Sequence, residues 1–329
     1  MGNHLTSNAD NIRYNGTGRV YVADVGGAVY DELGELENLS GNISVSKDEM
    51  KSNRSADQAV ILTAESKRSA SFSFGLREQT EENLKMALMG GAITTDDQSA
   101  SSVVSDAVTL TDDKYVDLGH LNVFITRVTG TITGALACGD SVTGATSGAT
   151  GDIAWTESGL VELVQVSGTF VSGEKIEKDG SNYITATGVT KTEDVVVVDA
   201  DVDSATPSVR YVQGTDYTLD PDYGMLRKLS AGSITSPGYV SYDYEAVTRN
   251  YMYAMAAATV QKKVVIVTDR DDQGLRHRIT AHKMDFAMNG DWALIGDGAS
   301  VINVTGTLIK DTTQAVGQEY WKHEVMTGG

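Results

Sequence analysis

The sequence predicts a mainly β protein with one α-helix. Three observations carry this expectation. Thirty-four glycines against three prolines in 329 residues, with many Thr, Val, Ser and Tyr, describe short strands joined by tight turns. Apolar and polar residues alternate over many short stretches, the period of a half-buried strand. Only one stretch carries a full set of helix signals. A chain this long also exceeds one small core and points to two or so domains.

Residues 1–92 are the first part of the core. Residues 18–25 (GRVYVADV) alternate and read as a strand, and residues 36–45 (LENLSGNISV) as a second. Residues 46–57 (SKDEMKSNRSAD) are charged without an apolar period and read as a long connection. Residues 59–63 and 69–76 return to strand alternation, with Phe72 and Phe74 on one face. The helix spans residues 80–89. Thr80 is its N-cap, and Glu81 and Glu82 sit where the helix dipole favours anions. Leu84, Ala87 and Leu88 form an apolar stripe that must dock on a sheet. Gly90 and Gly91 stop the helix.

Residues 93–247 form the inserted domain. A polar linker (residues 94–102) precedes strand patterns at residues 106–110 and 122–128. The Gly/Thr/Ser-rich stretch containing GATSGATG, then LVELVQV, VSGTFVSGEKI and residues 182–187, read as a small nested β module at about 129–190. Strand patterns follow at residues 194–199 and 209–212. In YVQGTDYTLDPDYGMLRKL, residues 221–224 form the turn between two strands. GYVSYDY closes the insertion. Residues 248–329 are the second part of the core. Strands are expected at 251–255 and 263–268, a hairpin turn at 271–274 (DDQG), and a returning strand at 276–286. A loop-rich crossover (289–298) leads to a last strand at 301–309. Residues 254–258 also read as strand.

The net charge is −19. Such a chain does not grip nucleic acid by neutralising phosphates, nor an anionic membrane surface. The surplus is uneven: residues 93–247 carry 23 acidic and 8 basic side chains, so the insertion holds most of it. Cys138 is the single cysteine, which excludes an intrachain disulfide and a multi-cysteine zinc site. No apolar run is long enough for a membrane helix. Residues 1–14 lack an apolar h-region, so no signal peptide is expected.

Two pieces of the chain resemble the tail-tube proteins of long-tailed bacteriophages. One is the strand pair with its charged connection followed by SASFSFGLREQTEENLKMALMGGA. The other is KKVVIVTDRDDQGLRHRITAHKMDFAMNGDWALIGDGASVINVTGTLIKD. Together they cover roughly half the chain. The resemblance implies a tail-tube-type β-sandwich or barrel core with one flanking helix. It also implies rings, usually hexameric, that stack into a tube through which genomic DNA passes without specific binding. The implied partners are copies of the chain itself and the tape-measure, tail-terminator and tail-tip proteins; the implied location is the virion tail, after synthesis in the host cytoplasm. The insertion would lie on the tube exterior and could touch a host surface weakly. The charged connection resembles the family loop that reaches an adjacent ring. Lys47, Asp48, Glu49, Lys51, Arg54 and Asp57 are therefore the candidate inter-ring stacking residues.

Catalytic chemistry finds no foothold. There is no nucleophile elbow and no P-loop, because GATSGATG lacks the following Lys-Ser/Thr. Asp199, Asp201 and Asp203 mimic the start of a calcium loop, but Ser204 and Arg210 stand where Gly and Glu are required; an improvised calcium site there stays open. His277 and His282 fall on opposite faces of a strand. The pairs Tyr242/Tyr244 and Tyr251/Tyr253 read as sheet-face packing. The expectation is a structural assembly subunit with no catalytic, cofactor or metal site. The alternatives are a phage head-decoration or minor tail protein, or a carbohydrate-binding adhesin.

Overall fold

The structure, a computed structural model, describes residues 17–51, 53–54, 59–202, 207–269 and 275–327. The chain begins with β1 (Gly18–Asp24), β2 (Asp31–Glu32), β3 (Leu36–Lys51), β4 (Val60–Leu76) and α1 (Glu81–Ala87). Next come β5 (Thr94–Gln98), β6 (Ser101–Val108), β7 (Tyr115–Asp117), β8 (Val123–Ile132), β9 (Ser141–Gly144), β10 (Thr150–Glu157), β11 (Leu160–Ser167) and β12 (Lys175–Lys178). They continue through β13 (Ser181–Thr192), β14 (Val196–Val198), β15 (Arg210–Tyr211), β16 (Tyr217–Asp220), β17 (Met225–Lys228), β18 (Gly238–Tyr244) and β19 (Val247–Tyr251). The last are β20 (Gln261–Thr268), β21 (Leu275–Met288), β22 (Ile302–Leu308) and β23 (Trp321–Thr327). The protein is mainly β, and α1 is the one α-helix among the described residues.

Two units result: residues 1–94 with 251–329, and Thr95–Asn250. In the first unit the sheet order is β2-β1-β20-β21-β22-β4-β3, with β23 pairing on β21. Every neighbouring pair is antiparallel. Side chains of β1, β4, β20, β21 and β22 share one core, including Val20, Phe74, Ile266, Phe286 and Ile302. The Phe74 and Phe286 rings meet edge to face at 6.1 Å. The helix adds Met86 and Ala87 to this core. It starts where the sequence says: the Thr80 hydroxyl accepts the Asn83 N–H, satisfying one of the orphan donors of a helix start. Asn83, rather than a leucine, is the buried surprise on its inner side; its amide donates to the Leu33 and Glu78 carbonyls.

The second unit contains a closed barrel. Strands β8, β11, β10, β9, β12 and β13 pair in that order, and β13 pairs back on β8. Closure leaves no open edge. Val128, Val142, Ile153, Leu163, Ile176 and Ile184 are buried in its interior cluster. β8 also pairs with β18, so the barrel shares a sheet with β14, β15 and β6. β7, β16 and β17 form a small third sheet. β5 and β19, where the chain enters and leaves the unit, pair with one another.

Several expectations need correction. Residues 46–51 are not connection but the distal part of β3, paired with β4 down to Lys51↔Val60. The "linker" 94–102 contains β5, because its polar side chains sit in a two-stranded ribbon that needs no buried face. Residues 254–258 are not strand; the Leu88 and Met89 carbonyls just past α1 accept the Met255 and Ala257 N–H groups instead. Residues 301–309 are not the last strand, since β23 follows. The hairpin turn expected at residues 271–274 lies outside the described residues. No helix among the described residues is long and apolar enough to cross a membrane.

Candidate assembly surface

β3 and β4 are 16 and 17 residues long, far longer than an ordinary strand. β4 pairs with β22 only from Ser71 to Leu76. Beyond that point the described parts, Ile43–Lys51 and Val60–Ala70, pair only with each other. At about 3.3 Å per residue this two-stranded arm reaches roughly 30 Å past the sheet. Along it every side chain from Ser40 to Lys51 and from Val60 to Arg68 is exposed.

The arm is not simply polar. Ile43 is 63 % exposed, Met50 58 %, Ile61 62 % and Leu62 57 %. Met50 stands opposite Leu62, and Lys51 opposite Val60, so apolar side chains near the described end of the ribbon are flanked by charge. Lys47 stands opposite Glu65, Asp48 opposite Ala64 and Glu49 opposite Thr63. Glu65 also binds Arg68, whose hydrogen bond and charge hold its carboxyl below the ordinary range, helped by Lys47. Of the six candidate residues, Lys47, Asp48, Glu49 and Lys51 are therefore strand residues of one ribbon. Arg54 is exposed just beyond it, and Asp57 lies outside the described residues. Register shifts at Ser46/Lys47 and Met50/Lys51 add local twist. The apolar residues Met50 and Ile61–Leu62 were missed as site residues; three consecutive apolar residues, Val60-Ile61-Leu62, beside a charged stretch were the available signal.

Among the described residues the sheet of the first unit does not close. Its path ends at β3 on one side and at β2 on the other, where β2 covers only Tyr21 and Val22 of β1. β23 forms a further edge beside β21. Such edges carry unpaired N–H and C=O groups and pair readily with another chain. Arg19, Glu32, Glu35, Phe72, Asp269 and His277 are among the residues lining a groove of about 980 Å³ at the open side of this unit.

Residues 13–149 and 160–321 match a family described as protein of unknown function UCP028589. The chain belongs to that family. No curated protein matches it. The family match runs through both units, so the second unit is part of the family pattern; the unmatched residues 150–159 are β10 and the turn after it.

The motifs of the second unit make contacts within the chain. The GATSGATG turn cradles a carboxylate of the same chain. Glu174, 3 % exposed, accepts the Thr146, Ser147 and Val171 N–H groups and the Ser147 hydroxyl at 2.6–3.2 Å. Burial opposes its ionisation, but these donors outweigh it and lower its pKa. A Cβ on Gly144 would lie 2.7 Å from the Glu174 carboxylate, and Gly148 has φ +69°, which explains both glycines. Asp199 accepts from Ser208 and Val209 and Asp201 from the Ser105 hydroxyl; Asp203 lies outside the described residues. Arg127 and Arg210 bind Glu162 and Asp194 at 2.6–3.1 Å, and the Tyr217 hydroxyl donates to Asp194. This buried, charge-balanced cluster ties barrel strands β8 and β11 to β15 and β16. Burial pushes the Cys138 thiol up. Tyr242 is buried as expected, whereas Tyr251 and Tyr253 are exposed and touch each other edge to face.

Proposed function

We propose that the chain is a structural subunit that assembles with copies of itself, as a tail-tube protein of a long-tailed phage does, and carries no catalytic role. The observation that carries this reading is the arm: a ribbon roughly 30 Å long with exposed Ile43, Met50, Ile61 and Leu62. A two-stranded hairpin is marginal by itself, and this one leaves apolar side chains in water. A partner surface that covers it removes both costs. The open edges β1/β2, β3 and β23 supply the second contact: head-to-tail pairing that closes by rotation gives rings, and arms then join ring to ring. On this reading the tape-measure, tail-terminator and tail-tip proteins are further partners, DNA passes without specific binding, and the site of action is the virion tail. The second unit, with most of the acid surplus, faces outward.

Deleting residues 49–55 tests the role of the arm. The subunit is expected to stay folded by circular dichroism and to lose polymerisation in sedimentation. Normal polymers from the deletion would sink the idea.

A further inference from the structure

We propose that His277 and His323 form a binding site for one divalent transition-metal ion of the zinc, nickel or copper class. β21 and β23 are antiparallel with His277 opposite Val325 and Ile279 opposite His323. The two histidines are thus diagonal neighbours on one sheet face, the arrangement that lets long side chains meet. Their ring nitrogens, Nδ1 of His277 and Nε2 of His323, are 3.1 Å apart, with ring centroids at 5.3 Å. Two imidazole nitrogens bound to one ion at about 2.0–2.1 Å lie roughly 2.9 Å apart at a right angle and about 3.4 Å apart at the tetrahedral angle. The observed separation falls between these, the spacing that two ligands of one ion require. In this structure the same contact is an N–H···N hydrogen bond. When the ion binds, that proton moves to the far nitrogen of the same ring, and both facing nitrogens become ligands.

The surroundings favour a cation and leave it a way in. His323 is exposed and His277 is half-buried. His277 lines the groove of the first unit together with Glu32, Glu35, Glu78 and Asp269, against the single cation Arg19 among the described charged lining residues. A cleft lined mostly by one sign of charge raises the local concentration of the opposite ion. Behind the pair the face is held by rings: Trp321 stacks near His323 with centroids at 6.5 Å and meets Phe72 edge to face at 5.5 Å. Water completes the coordination, as in open metal sites with few protein ligands. Imidazole selects zinc, nickel and copper over magnesium. The inference rests on the β21–β23 pairing and the groove beside it, not on the proposed function.

The test is calorimetric titration of the full chain with zinc chloride, beside His277→Gln and His323→Gln. One saturable ion per chain is expected, weakened at least about tenfold in each variant. Magnesium chloride should give no saturable heat. Because Trp321 lies beside the pair, one equivalent of copper(II) should also quench its fluorescence in the unaltered chain, which requires no variant to fold. The proposal is overturned if zinc gives no saturable binding, if both folded variants bind as tightly as the parent, or if magnesium binds equally, which would indicate a diffuse acidic groove.

Discussion

Glu174, Asp199, Asp216 and Asp311 each accept one or more backbone N–H groups and a hydroxyl from a turn packed against them. These four carboxylates are thus engaged in fixing turns. Removing such a carboxylate strands several donors at once. Glu174→Ala is expected to cost about 2–4 kcal/mol, read as an earlier urea transition of the second unit; an unchanged transition would mean that the turn holds without it. The same contacts set the acid response. Hydrogen bonds from Thr313 and Gln314 hold Asp311 down to about 2, and Glu174, Asp199 and Asp216 are also lowered. A carboxylate with a depressed folded pKa adds stability above its unfolded pKa and loses it as pH falls through the folded value. The melting temperature is therefore expected to drop progressively below about pH 4.5. Asp243 acts in the opposite sense, since burial raises its pKa. Scanning calorimetry across that range checks the sign.

Elements differ in how far the sequence exposes them. Helix α1 was legible because its signals are local: the Thr80 cap, two glutamates in the first turn and a glycine pair after the end. What Asn83 does was not, because its partners Leu33 and Glu78 are fixed by tertiary packing. The distal half of β3 was hidden for a physical reason. A ribbon exposed on both faces has no burial period, so residues 46–51 look like a charged loop. β23 was overlooked although Trp321, His323 and Val325 alternate on one face, because a turn-rich stretch separates it from β22. Barrel closure depends on the β8–β11 pairing, a long-range contact that no local pattern encodes. At this scale the arm makes a sharp expectation. Leu62→Asp adds a charge to an exposed site and should shift stability by less than about 0.5 kcal/mol. It should nevertheless cut polymerisation, measured by sedimentation. A large loss of stability would show that Leu62 packs within the subunit instead.

At the scale of the whole molecule, two β units divide the work. The first carries the edges, the arm and the groove that the proposed self-assembly would use. The second closes its barrel, satisfies its buried charges internally and belongs to the same family pattern. The charge surplus lies in the second unit, so the proposed assembly is argued from the first. Electron microscopy of the purified full chain in negative stain tests this most directly. Rings or hollow tubes of uniform width are predicted. A monodisperse monomer at concentrations of tens of micromolar, with the arm intact, would contradict it.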